Sequence, residues 1–153
     1  MTMQKLSVQA PKSVVMIRPH HFHPNPATAE DNVFQASDAG RSASAIAAAA
    51  HAEVTKAAER LEAAGVTVHL FEDEGRTTPD SVFPNNWFST HSGGHVAIYP
   101  MYSPSRRKER RVDVIEMLKR RYRVQDVIDY SGLEEDNVFL EGTGAMVLDH
   151  IER

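Results

Sequence analysis

The 153-residue sequence contains no cysteine. That excludes disulfides, thiolate metal ligands and a thiol nucleophile from this stretch of chain. It also lacks any apolar run near the roughly 20 residues needed to cross a bilayer. The N-terminus, MTMQKLSVQAPKS, has no apolar core of a secretory signal. Basic residues form no long uninterrupted block and the formal net charge is −4, which argues against nucleic acid or an anionic membrane as partner. Trp occurs once. What is present is an ordinary globular balance of 41% hydrophobic and 25% charged residues, enough to bury one core. The expectation is a cytoplasmic protein whose partner is a small molecule.

Residues 1–12 carry no periodic pattern and are read as a flexible arm. SVVMI (13–17) has the composition of a strand, stopped by Arg18 and Pro19. The next 24 residues hold three prolines and no sustained period, which suits a lid or binding loop. From Ser42 or Ser44, an apolar stripe of Ile46, Ala50, Val54, Ala57, Leu61 and Ala64 predicts a helix ending before Gly65. VTVHLF (66–71) predicts a strand, and Trp87–Thr90 with His95–Tyr99 predicts a hairpin through SGG. Ser103 and Pro104 open a second helix, with Val112, Ile115, Leu118 and Tyr122 as its buried face. Strands are then expected at Val124–Asp129 and Ala145–Asp149. The succession has the character of a ββαβ unit used more than once, without a residue-level repeat.

Four stretches can carry chemistry. In PDSVFPNNWFSTH (79–91), Asp80, Asn85 and Asn86 flank Phe83 at the entry to a strand, where fixed side chains can present oxygens to a cationic or amide-rich ligand. The same residues also cap turns in many proteins. In FLEGTGAMVLD (139–149), the carboxylate of Glu141 sits beside apolar residues, where a charge is costly unless paired or used. In SRRKER (105–110), arginines in a first helical turn oppose the helix dipole, so Arg106 either grips a carboxylate or belongs to a solvated face. HHFH (20–23) offers nitrogen ligands, but adjacent histidines in a proline-rich loop lack the spacing of a defined site. No metal and no cofactor is assigned on this basis.

Taken in order, RPHHFHPNPATAEDNVFQ, PDSVFPNNWFSTH, SPSRRKER and FLEGTGAMVLDH resemble the N-terminal half of the guanidine-modifying, or pentein, superfamily. The resemblance is strongest to its arginine deiminase-related, citrulline-utilisation hydrolase branch, an amidinotransferase family. It implies an α/β propeller of five ββαβ units, of which residues 13–153 would form about two as the incomplete part of one domain. It implies hydrolase or amidinotransferase chemistry on the guanidino or ureido group of an arginine-like amino acid. A Cys–His–Glu set attacks through a covalent intermediate, with the Cys and His lying outside this fragment, which would itself be inactive.

By the same resemblance Glu141 is the catalytic-site carboxylate, Asp80 lines the substrate pocket with Phe83, Asn85 and Asn86, and Arg106 binds the substrate α-carboxylate. Dimethylarginine hydrolases have two acids where this chain has Asn85 and Asn86. Acceptor oxygens are kept there and negative charge is lost, which favours a neutral ureido group. His91 stands near an acid of the deiminases, and His150 near a second carboxylate-binding arginine. The alternatives are a non-catalytic module that binds arginine or citrulline, and a metal-binding protein that uses His20, His21 and His23. Unclosed sheet edges in a partial ring predict self-association into a homo-oligomer.

Overall fold

The computed structural model describes residues 10–28 and 40–147. The N-terminal arm lies outside these residues up to position 9, as does the central part of the long loop, 29–39. Strand β1 (Ser13–Pro19) and strand β2 (Thr67–Asp73) pair in parallel, Ser13 opposite Thr67 and Arg18 opposite Glu72. A parallel pair needs a long crossover, and helix α1 (Ala43–Ala63) provides it. Ser42 caps α1 by accepting from the Ala45 N–H at 3.2 Å. Val54 and Ala58, one turn apart, are buried, and small side chains let the helix lie close on the sheet.

Strands β3 (Phe88–His91) and β4 (His95–Ile98) form an antiparallel hairpin. Gly93 and Gly94 have φ of 97° and 92°, a conformation open to glycine at little cost. Strand β5 (Asp126–Asp129) adds to β4 in parallel, after the short helix α2 (Pro104–Arg107) and helix α3 (Val112–Arg121). The core joins β1, the hairpin and α3: Ile17, Trp87, Val96, Met101 and Val114 are each no more than 2% exposed. Trp87 and Phe88 stack at a tilt of 43° with centroids 4.5 Å apart. Among the described residues, no helix is long and apolar enough to cross a membrane.

Two expectations fail. The helix read from Ser103 is broken: α2 ends at Arg107, and Arg111 is extended before α3 begins. Restarting the helix resets its phase, so the buried face is Val114, Ile115, Met117 and Leu118, while Val112 is 76% exposed and Tyr122 39%. The strand expected from Ala145 is also absent in its described part. Residues Gly142–Ala145 form a single helical turn, α4, and Val147 is 97% exposed. Asp149 and His150 lie outside the described residues. The remaining elements agree with their sequence signals to within two residues at each end.

Candidate functional site

Three distant points of the chain meet at one guanidinium. Arg106, in α2, is 7% exposed at its side chain. Its Nε and Nη2 donate to Glu109 Oε1 and Oε2 at 3.2 and 3.1 Å, a two-pronged pair. Its Nη1 donates to Glu141 Oε2 at 3.4 Å, and Asp80 Oδ2 lies 3.8 Å from its Nε. Asp80 and Glu141, separated by about 60 residues of chain, therefore face the same cation.

The backbone around each acid is fixed by its neighbours. Asn25, held between two prolines, donates from Nδ2 to Asp80 Oδ2 at 2.7 Å and to Ser105 Oγ at 3.3 Å. Glu141 precedes α4, and its Oε1 accepts from the Tyr102 N–H at 2.9 Å. The Tyr102 segment is clamped in turn: Arg107 donates to the carbonyls of Met101 and Tyr102, and the Met101 N–H donates to Glu134. Arg110 pairs with Glu134 through both of its terminal nitrogens.

Asn85 and Asn86 back the same turn rather than the guanidinium. Asn85 Nδ2 donates to Thr143 Oγ1 at 2.6 Å and to Asn86 Oδ1 at 3.1 Å. Gly142 has a φ of 43°, and a Cβ there would collide with the Asn85 carbonyl, so the close approach of α4 to this loop requires glycine. Phe83 is 46% exposed, and its N–H donates to the Asp80 carbonyl. His91 bonds Ser89 Oγ, which also meets the Tyr99 hydroxyl, away from the guanidinium. An apolar groove bounded by β1, Phe88, Val96 and Leu118 is lined also by Asn85 and Thr143, but not by Asp80, Arg106 or Glu141.

The electrostatics are lopsided. By formal charge, Asp80, Glu109 and Glu141 face the single positive charge of Arg106, a surplus of two negative charges. Burial pushes the Glu109 carboxyl up to about 7, against the pull of its bonds to Arg106, and the neighbouring Asp80 and Glu141 push the same way. Glu134 is held below its ordinary value: burial raises it, but the bonds from Arg110 and the Met101 N–H outweigh burial. A cluster of this sign attracts a second cation more readily than a second anion.

Two participants escaped the sequence reading. Glu109 stands three residues after Arg106, a helical ion-pair spacing that was legible in SRRKER. Asn25 sits in PNP, where two prolines restrict the backbone, but nothing local points from it to Asp80.

Parallel β1–β2 joined by a helix, a hairpin extended by a parallel strand, and an acid-rich cluster around a guanidinium define an α/β chain of pentein type, related to arginine-modifying hydrolases. Residues 18–153 match the family described as eukaryotic N,N dimethylarginine dimethylhydrolase, and the chain belongs to that family, a family of guanidino-group hydrolases. The fold is similar to that of ArgZ in its apo structure, an arginine dihydrolase from the ornithine-ammonia cycle in cyanobacteria. The TM-score is 0.54 at 18% identity over 90% of this chain. The chain spans 18% of that protein's length. No curated protein matches it significantly.

Proposed function

We propose that this chain forms the substrate-binding portion of a hydrolase or amidinotransferase that acts on the guanidino or ureido group of an arginine-like amino acid. The observation that carries the reading is the convergence of Asp80 and Glu141 on one guanidinium, that of Arg106. Two acids spaced around a flat, nitrogen-rich cation are the arrangement a guanidino substrate needs. Arg106 is here the positioning group that draws the two acids together, anchored by Glu109. Glu141, 26% exposed at its side chain, is the acid placed to orient the reacting carbon.

In this reading the cysteine and histidine of the covalent step come from beyond this sequence, and the chain contributes about two units of a five-unit ring. The sequence itself holds no thiol, so it cannot form a thiouronium-type intermediate alone. The expected result is no release of ammonia or ureido product from arginine or dimethylarginine by this chain, together with measurable calorimetric binding of one of them. Binding should be lost in Asp80→Asn and Glu141→Gln. Turnover by the chain alone would overturn the thiol route. Binding of neither ligand would overturn the site.

The absence of cysteine also favours a second reading, a binding module without catalysis. It predicts that arginine or citrulline binds as tightly to this chain as to any longer product of the same gene.

A further inference from the structure

Three potential ligands outside the acid cluster come together from separate elements. His20 directly follows β1 and is fixed by its N–H to the Asp73 carbonyl at 2.8 Å. His51 projects from α1, and its ring meets that of His20 edge-on with centroids 4.9 Å apart. Glu72 stands on β2, with Oε2 at 2.7 Å from His20 Nε2. One ligand atom from each lies within 4.8 Å of the other two. All three are partly accessible: the His20 and Glu72 side chains are 35% and 39% exposed.

We propose that His20, His51 and Glu72 form a site for a divalent transition-metal ion of the zinc class. The donor set of two imidazoles and one carboxylate suits such an ion, with the fourth position left to water. In tetrahedral geometry, ligands about 2.0–2.2 Å from the metal stand about 3.3 Å from one another. The His20–Glu72 pair is already closer than this, so it opens slightly on binding, and His51 closes by a ring rotation.

Neighbouring groups hold the cluster in place. Arg18, opposite Glu72 across the strand pair, grips its carboxylate and also donates to Thr55 Oγ1 at 3.1 Å. That holds the carboxylate in place as outer partners of metal ligands do, although a nearby positive charge lowers affinity. The groove beside the cluster is lined by His21 and His23 as well as His20 and His51. His23 Nδ1 lies 2.9 Å from the Pro24 carbonyl, which can only accept, so Nδ1 carries the proton and Nε2 of the neutral ring is the acceptor. Of the HHFH run only His20 stands within ligating reach of the other two, His51 of α1 and Glu72 of β2. An ion bound there would tie the loop after β1 to both elements.

The test is a titration of the purified chain with zinc chloride, followed by calorimetry with a competing chelator and by the visible absorption of the cobalt form. The expected result is one ion per chain, a tetrahedral cobalt spectrum and a rise in the thermal midpoint. Affinity should fall at least tenfold in each of His20→Gln, His51→Gln and Glu72→Gln, with His21→Gln close to wild type. Circular dichroism of each variant without metal verifies folding, and His51→Gln, on a helix surface, leaves the core intact. Absence of stoichiometric binding would overturn the proposal. So would binding that survives His51→Gln and Glu72→Gln, since it would place the ion on the HHFH run alone.

Discussion

Replacing Glu109 with glutamine keeps the shape of a side chain that is 0% exposed while removing the carboxyl that anchors Arg106. In the folded chain this carboxyl is pushed up to about 7 from an ordinary 4.5. Between those values the native state keeps a proton that the unfolded chain has released. Stability from this group is therefore fully present below pH 4.5, declines as the pH rises through 7, and is level above that. The interval from 4.5 to about 7 corresponds to roughly 3 kcal/mol at about 1.4 kcal/mol per unit. Glutamine does not titrate.

The difference in unfolding free energy between wild type and Glu109→Gln should thus shift by roughly 3 kcal/mol between pH 4.5 and 8, wild type faring relatively better in acid. Titrating groups that do not interact with Glu109 are common to both proteins and cancel, while Asp80 and Glu141, which do interact with it, enter the difference with it. Urea unfolding followed by the fluorescence of the single tryptophan, Trp87, buried in the core, gives the two curves. A difference that is constant with pH would refute the burial argument. A difference of opposite sign would mean that Arg106 wins outright and holds Glu109 ionised below its ordinary range.

Four further changes test other links. Arg106→Met strands Glu109 in the interior beside two more acids and should cost about 3–5 kcal/mol in the same urea assay at pH 8, with a smaller loss at pH 5 where Glu109 can take up a proton. Gly142→Ala forces a Cβ onto the Asn85 carbonyl at a positive φ, so about 1–3 kcal/mol of stability should be lost, and arginine binding should weaken because Glu141 moves with it. Glu134→Gln removes charged bonds from Arg110 and the Met101 N–H and should destabilise by about 1.5–3 kcal/mol at pH 7, the difference shrinking as the pH falls and the wild-type carboxyl protonates. Ser81 is buried and its hydroxyl meets no partner among the described residues, so Ser81→Ala should raise the thermal midpoint, by the equivalent of about 1 kcal/mol.

Elements with a strong local period were legible in the sequence. The alanine-rich stripe of α1, the valine-rich strands and the glycine-bearing hairpin each have one physical solution, and tertiary pairing moved their ends by at most two residues, carrying β1 through Arg18 and Pro19, where the sequence had it stop, and β2 through Asp73. The region from Ser103 to Arg111 was not legible, because its local signal for a helix is good. In the structure Arg106 and Glu109 turn inward to pair while Arg107 and Arg110 turn to Glu134. The break itself lies at residues 108–111, where Arg111 is extended, and it takes Val112 out of the buried stripe. The turn after Glu141 was misread for a similar reason. Ala-Met-Val-Leu has strand composition, but Gly142 docks against the Asn85 loop and bends the chain first.

At the candidate site, residue types and order pointed to Asp80, Arg106 and Glu141, and the fold brings those three within reach of one another. Phe83, Asn85 and Asn86 were legible only as neighbours. Asn85 serves α4, and Phe83 stands half open to solvent. The grouping of His20 with His51 and Glu72 was not legible in sequence, because these partners are 31 and 52 positions from His20 and become neighbours only through the β1–α1–β2 crossover.

The most direct test of the account follows the side-chain carboxyl carbons of Asp80 and Glu141 by NMR while methylguanidinium, and separately methylurea, is added to the isotopically labelled chain. Both resonances should move together along a single saturating curve with the charged ligand, and Arg106 Nε should respond on the same curve. Movement of one carboxyl without the other, or none with either ligand, would contradict a shared guanidino site.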